Sequence, residues 1–370
     1  MWLKNRRKPI VTIQMIIRHR LEKQMLARSL FDRPSDVVTW FGAVQAQDYL
    51  GALWAVGQRS RDAVESDVEL ALAERAIVRT WPMRGTLHFV AADDVRWLLE
   101  LLNPRIIQRH ALRLRREFEL DDAALSRCRR ILTKALRGGS PLTRSRLYDT
   151  LEYGGISPAG QRGIHILGRL AQEGLICFGP RQGKQHTFVL LDEWLPEGRG
   201  LLRDEALAEL ALRYFTSHGP ATLRDLVWWS GLTVRDVQAG IHSVERRLQR
   251  EEIGGESYWF SPAEGTSQRT NSLTHLLPPF DEYLVGYKNR AAVLEPRHAV
   301  RLYALLSPVM EIDGRIVGTW GRRLARGMVT VALAPFRHLS LAEKGAMARA
   351  VARYGKFLGV PATGSYSRPS

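Results

Sequence analysis

Cysteine is almost missing from this 370-residue chain. Its two copies, Cys128 and Cys177, lie far apart and have no Cys or His neighbour at metal-ligand spacing. That excludes a disulfide framework and a cysteine-based zinc site, and it fits a reducing cytoplasm. Long apolar runs are missing too, since none reaches the roughly 20 residues of a membrane-spanning helix. The short run over 10–17 is interrupted by Thr12 and Gln14 and followed by no small-residue cleavage site, so it does not read as a signal peptide. Residues 1–14 read either as a disordered extension or as an upstream start before Met15. No low-complexity tract occurs. Acidic residues are in deficit: 38 Asp and Glu face 54 Lys and Arg, for a formal net charge of +16.

That surplus is the first positive signal, because a strongly basic chain seeks a polyanion. Arginine far outnumbers lysine, however, so an arginine-rich proteome would give the same bias. Local patterning adds more. In the 198–262 segment a helix over 204–216 ends at Gly219-Pro220, and Thr222 caps a helix over 223–229. Ser230-Gly231 breaks it, and Thr233 caps a second helix, 234–247, with Val237, Ile241 and Val244 on one face. Two short strands, 248–253 and 257–260, flank Gly254-Gly255. Helix, tight turn, helix and hairpin make a winged helix.

The 138–197 segment repeats the plan. Helices are expected over 144–151 and 161–173, with Ile164, Leu167 and Leu170 inward, then strands 175–178 and 187–191 around a polar tip. A less regular third copy fills 15–137, with helices expected over 19–30 and 36–44, strands 77–83 and 85–90, and a basic helical stretch over 93–137. The remainder, 263–370, is strand-rich, with a hairpin at Val309–Ile312, Asp313-Gly314 and Arg315–Trp320. The predicted fold class is α+β, three tandem winged-helix units plus a C-terminal strand-rich region. Winged helices hold DNA with a helix and a wing, but they also serve as protein–protein modules, so the fold alone does not assign a function.

Several residues stand out on their own chemistry. Arg79 and Arg84 flank Trp81 on the first hairpin, a mixture suited to phosphate and sugar; the alternative is a wing with Trp81 inside and solvated arginines. Arg181 and Lys184 on the second wing tip are phosphate-contact candidates. The string Gly179-Pro180-Arg181-Gln182-Gly183-Lys184 is one residue short of a P-loop and has Gln185 in place of Ser or Thr, so no nucleotide cofactor is expected. Trp228 and Trp229 read as core.

Five blocks carry a family resemblance. They are Trp40-Phe41-Gly42-Ala43-Val44-Gln45-Ala46-Gln47-Asp48, the 78–88 stretch around Trp81-Pro82-Met83-Arg84-Gly85, Trp228-Trp229-Ser230-Gly231-Leu232, the 277–287 stretch around Pro279-Phe280-Asp281-Glu282-Tyr283, and Asp313–Trp320. Together they resemble the AlkZ-like DNA glycosylases, the azinomycin-resistance family, over about residues 20–335. The resemblance implies a C-shaped protein whose concave face holds duplex DNA, with Gln45 and Gln47 at the catalytic centre. A sister branch carries aspartate at the second position; Gln47 places this chain in the branch that tends toward bulky adducts or interstrand crosslinks. The resemblance also implies that a C-terminal hairpin reaches the minor groove, which makes Arg322 and Arg323 candidates. Asp281 and Glu282 either orient the glutamines from behind or serve structure alone; adjacent residues on a strand would diverge, which favours structure.

A glutamine amide is no general base, but a purine alkylated at N7 or N3 is cationic and leaves without protonation. Two carboxamides on an extended backbone would point to the same side and could place a water beneath C1′. The competing reading has Gln45 and Gln47 capping the 36–44 helix. No lysine is prominent in the motif blocks, so no Schiff-base lyase step is expected. The sequence thus predicts a monomeric, cytoplasmic, nucleoid-associated glycosylase that uses no metal or cofactor and acts on double-stranded DNA carrying alkylated purines; a non-catalytic DNA-binding regulator is the rival. Either requires steep salt dependence: neutralising six or more phosphates should cost about a thousandfold or more in affinity between about 50 and 200 mM salt. Titration of a fluorescent duplex checks this, and a flat response would point to a protein–protein scaffold.

Overall fold

The structure, a computed structural model, describes residues 12–262, 273–299 and 307–367. One plan recurs three times: a two-residue strand, two helices, then a hairpin whose second strand pairs back with the opening strand. The first copy runs Val44–Gln45, Tyr49–Gly57, Glu65–Ala73, then the hairpin Ile77–Met83 and Thr86–Ala91. The second runs Leu142–Thr143, Arg144–Tyr153, Arg162–Gln172, then Ile176–Phe178 and Thr187–Leu190; the third runs Ala221–Thr222, Leu223–Ser230, Val234–Val244, then Gln249–Ile253 and Glu256–Phe260. All three sheets share the strand order first–third–second. In the second and third copies a threonine ends the short strand and caps the next helix, Thr143 accepting from Arg146 N and Thr222 from Asp225 N.

The first copy differs from its sequence reading. The expected 19–30 helix is Ile13–Lys23, capped by Thr12, so the boundary set at residue 14 falls inside a helix; residues 1–11 lie outside the described residues. The expected 36–44 helix is Pro34–Phe41, begun by a proline at its first position and stopped by Gly42 at φ 79°. Neither belongs to the repeat. The repeat's own helices follow the glutamines, and Tyr49–Gly57 is buried at every position from Gly51 to Gly57. A helix apolar on all sides has no amphipathic period to read. The basic 93–137 stretch is two helices, Val95–Phe118 and Asp122–Leu136, separated at Glu119 with φ 52°. Ile164 faces outward where Ile166 is buried, and Trp228 is 43% exposed beside a fully buried Trp229.

The C-terminal region forms a five-stranded sheet in the order Thr274–Leu277, Val309–Ile312, Arg315–Ala325, Met328–Pro335, Ala362–Tyr366, antiparallel except for the last pair. Helix Leu341–Leu358 covers it, and its Met347, Val351 and Tyr354 share a core with Trp54 and Phe41 of the first unit. The turn at Asp313 (φ 50°) and Gly314 (φ 82°) needs glycine twice over, because a Cβ there would lie 2.0 Å from Ile17 Cγ2.

Buried cations fasten these parts. Arg59, which follows the apolar 49–57 helix, donates to Gln24 O (2.9 Å), Ala55 O (2.8 Å) and both oxygens of Asp281 (2.7 and 2.8 Å). Arg20 donates to Pro220 O at 3.0 Å with its guanidinium 3.7 Å from the centre of the Tyr287 ring. Between the first and second units, His186 lies edge-on to Tyr49 (4.7 Å) and Phe178 (5.4 Å) and takes a hydrogen bond from Arg79 Nη1 at 3.0 Å.

Two predictions follow from these contacts. Asp281→Ala strands the Arg59 charge in the core and should destabilise the fold by about 3–5 kcal/mol, read by equilibrium unfolding in urea. His186 has its pKa lowered to about 4, by burial first and then by Arg79 and Arg181. The unfolded chain therefore takes up this proton before the folded one does. The stability due to neutral His186 is complete above about pH 6.5 and drains away as pH falls towards about 4. Thermal unfolding across that window should show a shallower decline in His186→Gln, which accepts a hydrogen bond but does not titrate; an unchanged slope would refute the assignment.

Candidate active site

Gln45 closes the two-residue strand that opens the first unit, paired with His88 in the central strand of its sheet. Its amide N–H donates to Glu282 Oε1 at 3.0 Å, and its side-chain Oε1 accepts from Arg84 Nη2 at 3.0 Å. The extended backbone continues through Ala46, whose N–H donates to Leu87 O at 2.7 Å and whose carbonyl accepts from Arg79 Nε (3.1 Å) and Nη2 (2.9 Å). Gln47 Oε1 accepts from Leu87 N at 3.1 Å. Both side-chain oxygens and the Gln45 and Ala46 N–H groups are thus held from behind. Gln45 is 8% exposed, whereas Gln47 is exposed. Because the helix before them stops at Phe41, neither glutamine caps it.

Glu282 anchors the segment. Its neighbour Asp281 caps the four-residue helix Glu282–Val285, accepting from Tyr283 N at 3.0 Å. The two carboxylates diverge, Asp281 to Arg59 and Glu282 to the site, so one is structural and the other does touch a glutamine. Glu282 Oε2 also accepts from Trp229 Nε1 at 2.9 Å and lies 3.2 Å from His218 Nε2. Burial alone would raise the Glu282 pKa; the His218 hydrogen bond, the Gln45 N–H and the Arg84 charge outweigh it and hold the carboxyl below its ordinary range. His218 is lowered, burial outweighing Glu282, so the pair is a carboxylate with a neutral imidazole. His88 is likewise lowered, by burial and then by Arg84.

The candidate DNA contacts divide. Arg79 is 5% exposed and spends its guanidinium on Ala46 and His186; Arg84 is turned inward onto Gln45 and the Trp229 carbonyl. Both expectations of phosphate contact are corrected: these side chains support the glutamine strand. Arg181 Nη1 pairs with Glu69 at 2.6 Å, beside Tyr49, on the wall of a cavity of about 340 Å³ between the first two units. Lys184 is exposed at the tip of the second hairpin. Arg322 and Arg323 are exposed on an arm longer than the sequence suggested, since the strand expected to end at Trp320 continues to Ala325 and turns at Arg326-Gly327. Arg322 also donates to Tyr354 Oη, and Leu324 on the same arm is 64% exposed.

Sequence reading missed Arg59, His88 and His218. Arg59 carried a signal: an arginine closing a wholly apolar run needs a buried carboxylate partner. Arg84 carried one too, since Arg-Gly between two strands marks a two-residue turn with positive φ, where a long side chain can fold back; here Arg84 has φ 53° and Gly85 φ 73°. Among the described residues no group of three or more His, Cys, Asp or Glu could hold a metal ion. No helix among them is long and apolar enough to cross a membrane.

Known proteins resemble this chain over most of its length. The chain is 25% identical over 334 residues to an interstrand DNA cross-link repair glycosylase of Streptomyces sahachiroi, covering 81% of this chain and 85% of that one. Its fold matches the solved structure of the Streptomyces sahachiroi DNA glycosylase AlkZ with a TM-score of 0.78 at 23% identity, over 96% of this chain and all of the other. The family model described as DNA glycosylase AlkZ-like matches residues 38–357, which takes in both glutamines, Arg84, Glu282 and the C-terminal arm. The chain belongs to the AlkZ-like DNA glycosylase family.

Proposed function

We propose that this protein is a monofunctional DNA glycosylase that hydrolyses the N-glycosidic bond of cationic N7- or N3-alkylated purines, bulky adducts and interstrand crosslinks included, with a water positioned by Gln45 and Gln47. The observation that carries the reading is the support given to these two amides. A neutral, polar Gln-x-Gln stretch that begins on a two-residue strand is braced by a buried carboxylate, two inward-turned guanidinium groups, and the backbone N–H and carbonyl of Leu87. Rigid placement of dipoles is what this reaction asks of a protein, because the charged base supplies its own leaving-group activation.

The three repeated units act as winged helices around duplex DNA, bound by a monomer on a concave face. Lys184 on the second wing and Arg322 and Arg323 on the C-terminal arm are the phosphate or groove contacts, with exposed Leu324 available for the apolar floor of a minor groove. Gln47 lies at the surface, which suits work on a base that stays tethered to the opposite strand. The resemblance of the chain to a cross-link repair glycosylase supports bulky lesions as substrates.

The test is a duplex carrying N7-alkylguanine, with abasic sites revealed by alkali. Wild-type protein should release the base without forming a borohydride-trappable adduct, and Gln45→Ala/Gln47→Ala should lower the single-turnover rate by at least about a hundredfold. Full activity in the double variant would refute the site. No release from any alkylated duplex, together with tight binding to one sequence, would mark a regulator instead.

A further inference from the structure

The hydrogen bonds behind the glutamines decide which end of each amide is free. Gln45 Oε1 meets Arg84 Nη2 and Gln47 Oε1 meets Leu87 N. A guanidinium and a backbone N–H only donate, so neither can face an amide NH₂. Oxygen is therefore turned into the protein at both positions, and the planar amide aims Nε2 the other way.

We propose that Arg84 is a positioning residue that locks Gln45 in this orientation, so that Gln45, and Gln47 beside it, act on the substrate as hydrogen-bond donors through Nε2. This rests on reading the two glutamines as the catalytic pair. The polarity of the neighbouring contacts is consistent throughout. Thr86 O, 3.0 Å from His88 Nδ1, can only accept, so that nitrogen carries the imidazole proton. Nε2 of the same ring is left as an acceptor, 3.4 Å from Arg84 Nη2. Arg84 Nη1 donates to the Trp229 carbonyl, so the guanidinium is gripped on two sides. The cation is offset by Glu282, whose carboxylate also holds the Gln45 backbone. A charged donor on Oε1 draws electron density through the amide and strengthens Nε2–H as a donor. One such donor holds one lone pair of the attacking water and leaves the second for C1′. The electron pair of the breaking C1′–N bond departs with the purine, which leaves neutral, and the water, once bonded to C1′, gives its proton to solvent beside the exposed Gln47.

Gln45→Glu separates donor from acceptor. It keeps the length and an oxygen for Arg84, and it removes the NH₂. Single-turnover release of N7-alkylguanine from duplex DNA is compared for wild type, Gln45→Ala, Gln45→Glu, Arg84→Met and Arg84→Lys, with duplex affinity and thermal midpoint measured for each. Gln45→Glu should be as slow as Gln45→Ala, at least about a hundredfold below wild type. Arg84→Met should lose roughly ten- to a hundredfold in rate at unchanged duplex affinity, with Arg84→Lys recovering part of it. Gln45→Glu at the wild-type rate beside a slow Gln45→Ala would overturn the donor assignment and leave the catalytic pair standing. Gln45→Ala at the wild-type rate would remove the catalytic reading itself. Should Arg84→Met not fold, the Gln45→Glu comparison still decides the orientation, and Arg84→Met folded and fully active would overturn the positioning role.

Discussion

A single buried carboxylate holds the site together. Glu282 takes hydrogen bonds from the Gln45 backbone and the Trp229 indole and contacts His218, groups that lie 237, 53 and 64 residues away from it in the chain. Each comes from a different element: the opening strand of the first unit, the first helix of the third, and the end of the Arg203–Ser217 helix. An ionised carboxylate with almost no water contact is tolerated only when its lone pairs are filled by donors. Fold and site are therefore one requirement, since the donors that make Glu282 tolerable are the elements that frame Gln45. Asp281 does the same one residue earlier with Arg59, and the start of the four-residue helix Glu282–Val285, which Asp281 caps and Glu282 begins, sends the two carboxylates in different directions.

The repeat explains why the site lies in the first unit. In the second and third units the opening strand ends in a threonine that caps the next helix, which uses up its polar side chain locally. In the first unit two further residues, Ala46 and Gln47, separate the strand from the cap residue of helix Tyr49–Gly57, and that residue, Asp48, makes no side-chain capping bond. The extra extended stretch pairs with Leu87 and gives two polar side chains a rigid frame that no helix cap consumes. A shared plan thus yields structure alone in the second and third copies and a candidate site in the first.

Legibility followed the same physics. The second and third units were readable because their helices are amphipathic and their turns carry Gly-Gly, Ser-Gly or capping threonines. The first was not, because Tyr49–Gly57 is buried on nearly all sides and Glu65–Ala73 buries only Val68 and Ala71, and the helices preceding them took their place in the reading. At the site, Gln45 and Gln47 stood out only through the five blocks of family resemblance; spacing alone suits a helix cap equally well. Arg79 and Arg84 were read as surface cations since arginine beside tryptophan on a hairpin usually is one. Only the three-dimensional pairing shows their guanidinium groups turned under the strand, where desolvation lowers both pKa values, Arg79 to about 10.

The charges behind the glutamines have a consequence for the proposed reaction. Loss of a cationic purine leaves positive charge on the sugar, and a lone guanidinium about 6 Å away would oppose it by roughly 3 kcal/mol at an effective dielectric near 20. Arg84 could orient Gln45 only at that cost if it stood alone. Glu282, ionised and in the same buried setting, offsets the Arg84 charge, so that on this side the sugar would meet mainly the local dipoles of the two amides. A neutral amide cannot protonate a departing base, so the two glutamines would give little help to a neutral purine, which needs protonation to leave. On the proposed reading, selectivity for alkylated bases would come from what the site withholds as much as from what it supplies.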